Sequence, residues 1–143
     1  MYAVDTNIIN WLVDGRLELE QLPSDGDFVA THIQRDELEK TPTEPRRTLL
    51  LGKFEKTVDR EVPTESIVAG VSRIGMAKVS DGRLYYSLRN ALPKLNKAKL
   101  NNSHDALIAE VAIENSWILI TADRDLAEVA NTYGCKAHYI PPK

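Results

Sequence analysis

The sequence predicts an α/β domain built on a mainly parallel sheet, and three observations carry that prediction. Short apolar runs alternate with stretches of helical periodicity, the pattern of strands joined through crossover helices. The run from Trp117 to Thr121 is short and continuously apolar, as expected of a strand covered on both faces. Acids stand where two such runs end, Asp5 after Met1–Val4 and Asp123 just beyond Thr121. In open α/β sheets the carboxyl ends of the strands form the edge where ligands bind.

The chain has 143 residues, enough for one domain with a real core, and it is read as a single domain over 1–143. Hydrophobic residues make up 43% and charged residues 27%, an ordinary globular balance. The net charge of −3 excludes a polycation that coats nucleic acid, although steering depends on local distribution. Cys135 is the single cysteine, which excludes an intramolecular disulfide and a cysteine-based zinc site. No run is long enough to span a bilayer, and an acid stands at position 5 where a signal peptide would be basic. A soluble cytoplasmic protein with no membrane partner is expected.

Met1–Asp5 is read as the first strand, with Asp5 at its C-terminal end. Thr6 or Asn7 can cap the helix that follows through Ile9, Trp11, Leu12 and Val13, and Gly15 suits its left-handed stop. Residues 16–22 read as a short helical piece up to Pro23, and 24–27 as a turn. Phe28–Ile33 reads as a second strand, carrying His32, and Gln34–Lys40 as the start of an acid-rich helix with Asp36, Glu37 and Glu39. After the breaker at 41–45, residues 46–60 read as a helix with Leu49, Leu50, Phe54 and Val58 apolar.

Residues 61–76 fit an amphipathic helix through Ile67, Val68, Val71 and Ile74, and fit a strand through Gly70, Gly75 and the β-branched residues. A strand near Ser66–Val71 is preferred. Ser80–Leu92 reads as a helix with Leu84, Tyr85, Leu88 and Leu92 on one face, ended by Pro93. Lys94, Lys97 and Lys99 make the next segment a basic loop. Beyond it, Asp105, Ile108, Ala109 and Ala112 share one helix face at i, i+3, i+4 and i+7. An acid heading an apolar face points into the core or a cleft beside it, where a carboxylate must neutralise, pair or bind a cation. Leu126, Val129, Ala130 and Tyr133 form a last helical face ended by Gly134, and 135–140 reads as a final strand carrying His138.

Asp5, Glu37, Asp105 and Asp123 thus share one description. Each lies at the end of a strand or the start of a helix, and in a parallel sheet those ends meet at one edge. Carboxylates crowded within a few ångströms cannot all stay ionised unaided, and a divalent cation resolves the conflict. Oxygen donors without cysteine or clustered histidine favour magnesium or manganese over zinc. Such a site in an open cleft suits phosphodiester hydrolysis.

The residues Val4-Asp5-Thr6-Asn7, Glu37-Leu38, Asp105-Ala106-Leu107-Ile108-Ala109 and Thr121-Ala122-Asp123-Arg124-Asp125-Leu126 resemble, in this order and spacing, the PIN-domain nucleases. That family is best known for the ribonuclease toxins of type II toxin–antitoxin pairs. The resemblance runs over nearly the whole chain and is loosest over 41–99. It implies a three-layer α/β/α sandwich, one or two Mg²⁺ or Mn²⁺ ions, and endonucleolytic hydrolysis of RNA. Water would attack phosphorus in line and leave 5′-phosphate and 3′-hydroxyl ends. It implies metal-binding acids at Asp5, Glu37, Asp105 and Asp123, an additional acid at Asp125, and supporting polar residues at Asn7 and Thr121. An antitoxin protein over the cleft, with a basic side chain offered to the acids, and a homodimer are the implied partners.

Each residue also has a plainer reading. Asp5 could serve only as a helix N-cap. Asp36 and Glu39 rival Glu37, since a helix N-terminus favours any acid. Asp105 could cap its own helix, and Asp123 and Asp125 could be turn and cap residues, a reading as good as metal binding for Asp125. His104, beside Asp105, is read as a surface or hydrogen-bonding residue rather than a general base, and Trp11 and Trp117 as core. The basic residues of 46–60 and 94–99 form a solvated face. If they flank the cleft, Arg46, Arg47, Lys97 and Lys99 are the candidates for RNA phosphates.

Two other functions compete with the nuclease. A scaffold of the same fold could bind RNA or protein without cutting, against which the retention of all the acids argues. A phosphotransfer domain could use Asp5 as nucleophile, but the position two residues on, where a second acid would belong, is Asn7.

Overall fold

The computed structural model describes residues 1–65, 83–96 and 102–141. The strands are β1 (Tyr2–Val4), β2 (Phe28–Ala30), β3 (Arg60–Glu61), β4 (Ile118–Thr121) and β5 (Ala137–Tyr139). The helices are α1 (Thr6–Asp14), α2 (His32–Glu39), α3 (Glu44–Thr57), α4 (Arg83–Asn96), α5 (Asn102–Glu114) and α6 (Arg124–Thr132). Among the described residues the strands form one sheet in the order β3-β2-β1-β4-β5. The pairings between these five strands are parallel, with Val4 opposite Ile120 and Ala3 opposite both Leu119 and Val29.

The strands alternate their side chains between two separate cores. Ala3, Val29 and Leu119 face one way, into a cluster with Leu88 and Leu92 of α4, Ile108 and Ala112 of α5, and Leu126 and Val129 of α6. Tyr2, Val4, Ala30 and Ile120 face the other way, into a cluster with Ile8 and Ile9 of α1, Leu38 of α2, and Leu50 and Phe54 of α3. This period of two, with helices on both sides, makes the three-layer α/β/α sandwich that the sequence leads one to expect. Residues 106–112 of α5 are buried all round the helix, as its nearly unbroken apolar sequence requires. Among the described residues no helix is long and apolar enough to cross a membrane.

Several boundaries differ from the sequence expectation. β2 stops at Ala30, and α2 starts at His32, earlier than expected. The cause is the capping box of Thr31 and Gln34: the Thr31 hydroxyl accepts the Ile33 N–H at 3.1 Å and the Gln34 side chain accepts the Thr31 N–H at 2.9 Å. His32 is therefore a buried helix residue and not a strand residue. α3 ends at Thr57, and Arg60–Glu61 pairs with β2 instead of extending the helix. The helical piece expected over 16–22 is a single 3₁₀ turn, Leu19–Gln21.

α4 runs through Pro93 to Asn96. A proline in the last turn loses one hydrogen bond and has a φ the helix accepts, so it need not end the helix. Gly15 ends α1 at φ 74°, as its placement in the sequence predicts. The strand expected near Ser66–Val71 and the basic residues Lys97 and Lys99 lie outside the described residues.

Candidate functional site

The chain passes from β1 outward to β2 and β3, and then returns to add β4 on the other side of β1. The helix after β1 lies on one face of the sheet and the helix after β4 on the other. The two strands diverge into their helices at their carboxyl ends, and a crevice opens there by topology alone. Asp5 follows β1 and Asp123 lies two residues past β4, so the crevice is flanked by two of the expected acids.

Asp5 occupies the N-cap position of α1, but its side chain makes no capping bond. Its backbone N–H donates to Ile120 O at 2.9 Å, which continues the β1–β4 pairing to the last residue before the helix. Its carboxylate instead turns to β4, where the Thr121 hydroxyl donates to Oδ2 at 2.7 Å. The carboxyl is pushed up to about 6. Burial is the main cause, with Asp5 only 4% exposed, and the charges of Glu37 and Asp123 add to it. The Thr121 hydroxyl and the Thr6 N–H work the other way, by stabilising the charged form.

Thr121 is fully buried and its hydroxyl has two roles. It donates to Asp5 and accepts the Asp123 N–H at 2.9 Å. Asp123 in turn is the N-cap of α6, with Oδ1 accepting from Asp125 N at 2.9 Å and Leu126 N at 3.2 Å. The capping role weighed for Asp123 is thus present, and so is its electrostatic pressure on Asp5. Asp125 is half-buried in the first turn of α6 and gives its N–H to that cap.

Glu37 comes from the second half of α2 rather than its start, because the helix begins earlier than the sequence suggested. The Thr6 hydroxyl donates to its Oε1 at 2.9 Å, which ties α2 to the residue beside Asp5. Its Oε2 lies 3.9 Å from His104 Nδ1. Asp105, next to His104, lies half-buried in the first turn of α5. Asn7 is exposed in the first turn of α1.

The structure thus joins Asp5, Thr121 and Asp123 through hydrogen bonds, and Glu37 to them through Thr6. Among the described residues, however, no three acid, histidine or cysteine side chains form a group that could hold a metal ion as they stand. The donor chemistry, oxygen ligands around a buried and charge-crowded carboxylate, is that of a hard divalent cation.

Two residues in this neighbourhood escaped the sequence reading. Thr6 was considered only as a cap. Gln34, 1% exposed, donates from Nε2 to Val4 O at 2.9 Å and so locks α2 onto the end of β1. The Thr-x-x-Gln spacing of a capping box was the signal available for it. Of the basic candidates, Arg46 is engaged by Asp14 at 2.7 Å and by Asn10 at 3.1 Å, and Arg47 reaches Thr41 O at 3.3 Å.

The chain matches the family model of the PIN domain over residues 2–132. None of the curated proteins matches it. Among solved structures it is similar to VapBC2 from Rickettsia felis bound to a DNA fragment from its promoter, with a TM-score of 0.61 and 18% identity over 97% of this chain and 98% of that one. It is similar to VapBC-5 of Mycobacterium tuberculosis, a member of the VapBC family of toxin–antitoxin systems, with a TM-score of 0.53 and 21% identity over 97% and 96%. It is also similar to FitAcB from Neisseria gonorrhoeae, with a TM-score of 0.52 and 17% identity over 99% and 98%. At these identities the likenesses concern the fold, whereas the family model spans most of the sequence: the chain belongs to the PIN domain family.

Proposed function

We propose that this protein is a metal-dependent endoribonuclease, the toxin of a toxin–antitoxin pair. The observation that carries the proposal is Asp5. This carboxyl is buried at the end of β1, raised to about 6, and pressed by the charges of Glu37 and Asp123. A carboxylate kept in such a place at a stability cost suits a site that takes up positive charge. Asp5, Glu37, Asp105 and Asp123 would hold Mg²⁺ or Mn²⁺, with Asp125 as an additional acid. Thr121 orients Asp5, and Asn7, exposed in the first turn of α1, would be a supporting polar residue. A divalent ion held there would supply positive charge against the phosphate oxygens and lower the pKa of a water beside it. The likeness to a member of a toxin–antitoxin family supports an antitoxin as the partner; RNA as substrate and a second copy of the chain belong to the proposal itself.

The test is cleavage of a mixed RNA pool by purified protein with Mg²⁺ or Mn²⁺, with and without EDTA, beside Asp5→Asn. Metal-dependent cutting that disappears in the variant is expected. A second reading, a scaffold that binds without cutting, draws on the absence of a ready three-ligand group among the described residues. Titration calorimetry with Mn²⁺ separates the two, since a scaffold gives no binding heat.

A further inference from the structure

Glu37 differs from the other acids in how the fold holds it. Asp5 follows a strand directly, Asp123 is an N-cap, and Asp105 lies in the first turn of its helix. Glu37 lies late in α2 and reaches the sheet edge only through its side chain, with three rotatable bonds. A carboxylate on so free a stem needs neighbours to fix it. It has one on each oxygen: Thr6 Oγ1 at 2.9 Å from Oε1, and His104 Nδ1 at 3.9 Å from Oε2. Thr6 is buried, and both His104 and Glu37 keep most of their side chains from solvent, with 20% and 17% exposed. His104 Nδ1 is itself buried and makes no hydrogen bond, and Glu37 is the acid it faces. Thr6 directly follows Asp5 and His104 directly precedes Asp105, so the backbone segments that place two of the acids also hold the third.

We propose that Thr6 and His104 are positioning residues that clamp the Glu37 carboxylate, one at each oxygen, and set its orientation in the site. The inference rests on the reading of Glu37 as a metal-binding acid. Thr6 donates its O–H to Oε1 at 2.9 Å, and His104, with its proton on Nδ1, would present an N–H to Oε2, which it faces at 3.9 Å without a hydrogen bond. Partners of this kind orient a ligand and tune its affinity without touching the ion.

The test is Mn²⁺ affinity by titration calorimetry on variants whose circular dichroism matches the native protein. His104→Leu and Thr6→Val keep the volume and remove the donors, and each is expected to weaken Mn²⁺ about tenfold. His104→Asn, whose amide N–H falls near the place of Nδ1, and Thr6→Ser restore the donors and are expected to restore the affinity. In a Glu37→Gln background the Leu and Val variants are expected to cost nothing further. Native affinity in His104→Leu and Thr6→Val while Glu37→Gln binds weakly would overturn the clamp alone. So would equal losses with and without Glu37, or failure of the Asn and Ser variants to recover. Native affinity in Glu37→Gln would instead remove Glu37 from the metal site, and the clamp with it.

Discussion

The Thr121 hydroxyl donates to Asp5 Oδ2 at 2.7 Å across the junction of β1 and β4, while accepting the Asp123 N–H. One buried side chain therefore sets the positions of two acids from different strands. It also favours the charged form of Asp5 against the burial that opposes it. Thr121→Val keeps the shape and strips both bonds, and should cost about 2 kcal/mol of stability. Because the lost bond served the carboxylate, the cost should be larger at pH 7.5 than at pH 5. Thr121→Ser should recover most of it. Urea denaturation at the two pH values measures this, and an equal cost at both would detach Thr121 from the ionisation of Asp5.

Asp5 itself should make stability depend on pH. The native state holds its proton up to about 6, whereas the unfolded chain releases it near 3.8. Between those values the folded protein binds more protons, so stability falls as pH rises through that window. Asp5→Asn removes the penalty. In chelator, the variant should be more stable than the native protein at pH 7.5, by something on the order of 1–3 kcal/mol, and the gap should close toward pH 4. Thermal melts across the range decide it, and parallel curves for the two proteins would show that Asp5 is not the titrating group.

Glu110 predicts a stability effect outside the candidate site. It is 2% exposed on α5, and its Oε2 accepts the Tyr85 N–H at 3.1 Å in the first turn of α4. Early helix N–H groups lack partners within the helix, so this carboxylate caps α4 from a neighbouring helix. Glu110→Ala should destabilise the fold by about 2 kcal/mol or more. Amide exchange should quicken first in α4, and exchange that quickens uniformly would count against a local cap.

Arg46 is bound to Asp14 and Asn10, a geometry that competes with any phosphate. As an exposed ion pair it should contribute little to stability. If it also meets RNA, Arg46→Ala should reduce the slope of log affinity against log salt by about one. An unchanged slope would assign Arg46 to Asp14 alone.

Burial, in contrast to contact, was already evident along the chain. β1 and β4 were recognisable because strands covered on both faces must be apolar at every position, and Leu84, Tyr85, Leu88 and Leu92 because one helix face must be. β3 was missed because two exposed residues, Arg60 and Glu61, carry no periodicity; only pairing with β2 makes them a strand. The start of α2 was misplaced because Phe28–Ile33 looks apolar throughout, and the capping box of Thr31 and Gln34 outweighs that pattern.

The sequence by itself determined the alternation of strand and helix, the layers that follow from it, and the places of Asp5 and Asp123 beyond the ends of β1 and β4. These are consequences of period and of position along the chain. Only the tertiary structure decided which of those acids meet and through what. That Asp5 answers to Thr121 rather than to its own helix, that Glu37 is held by Thr6 and faces His104, and that Arg46 is taken by Asp14 depend on residues 31 to 116 positions apart. No local pattern encodes such pairs, because they form only when packing of the two cores brings distant strand ends and helix turns together.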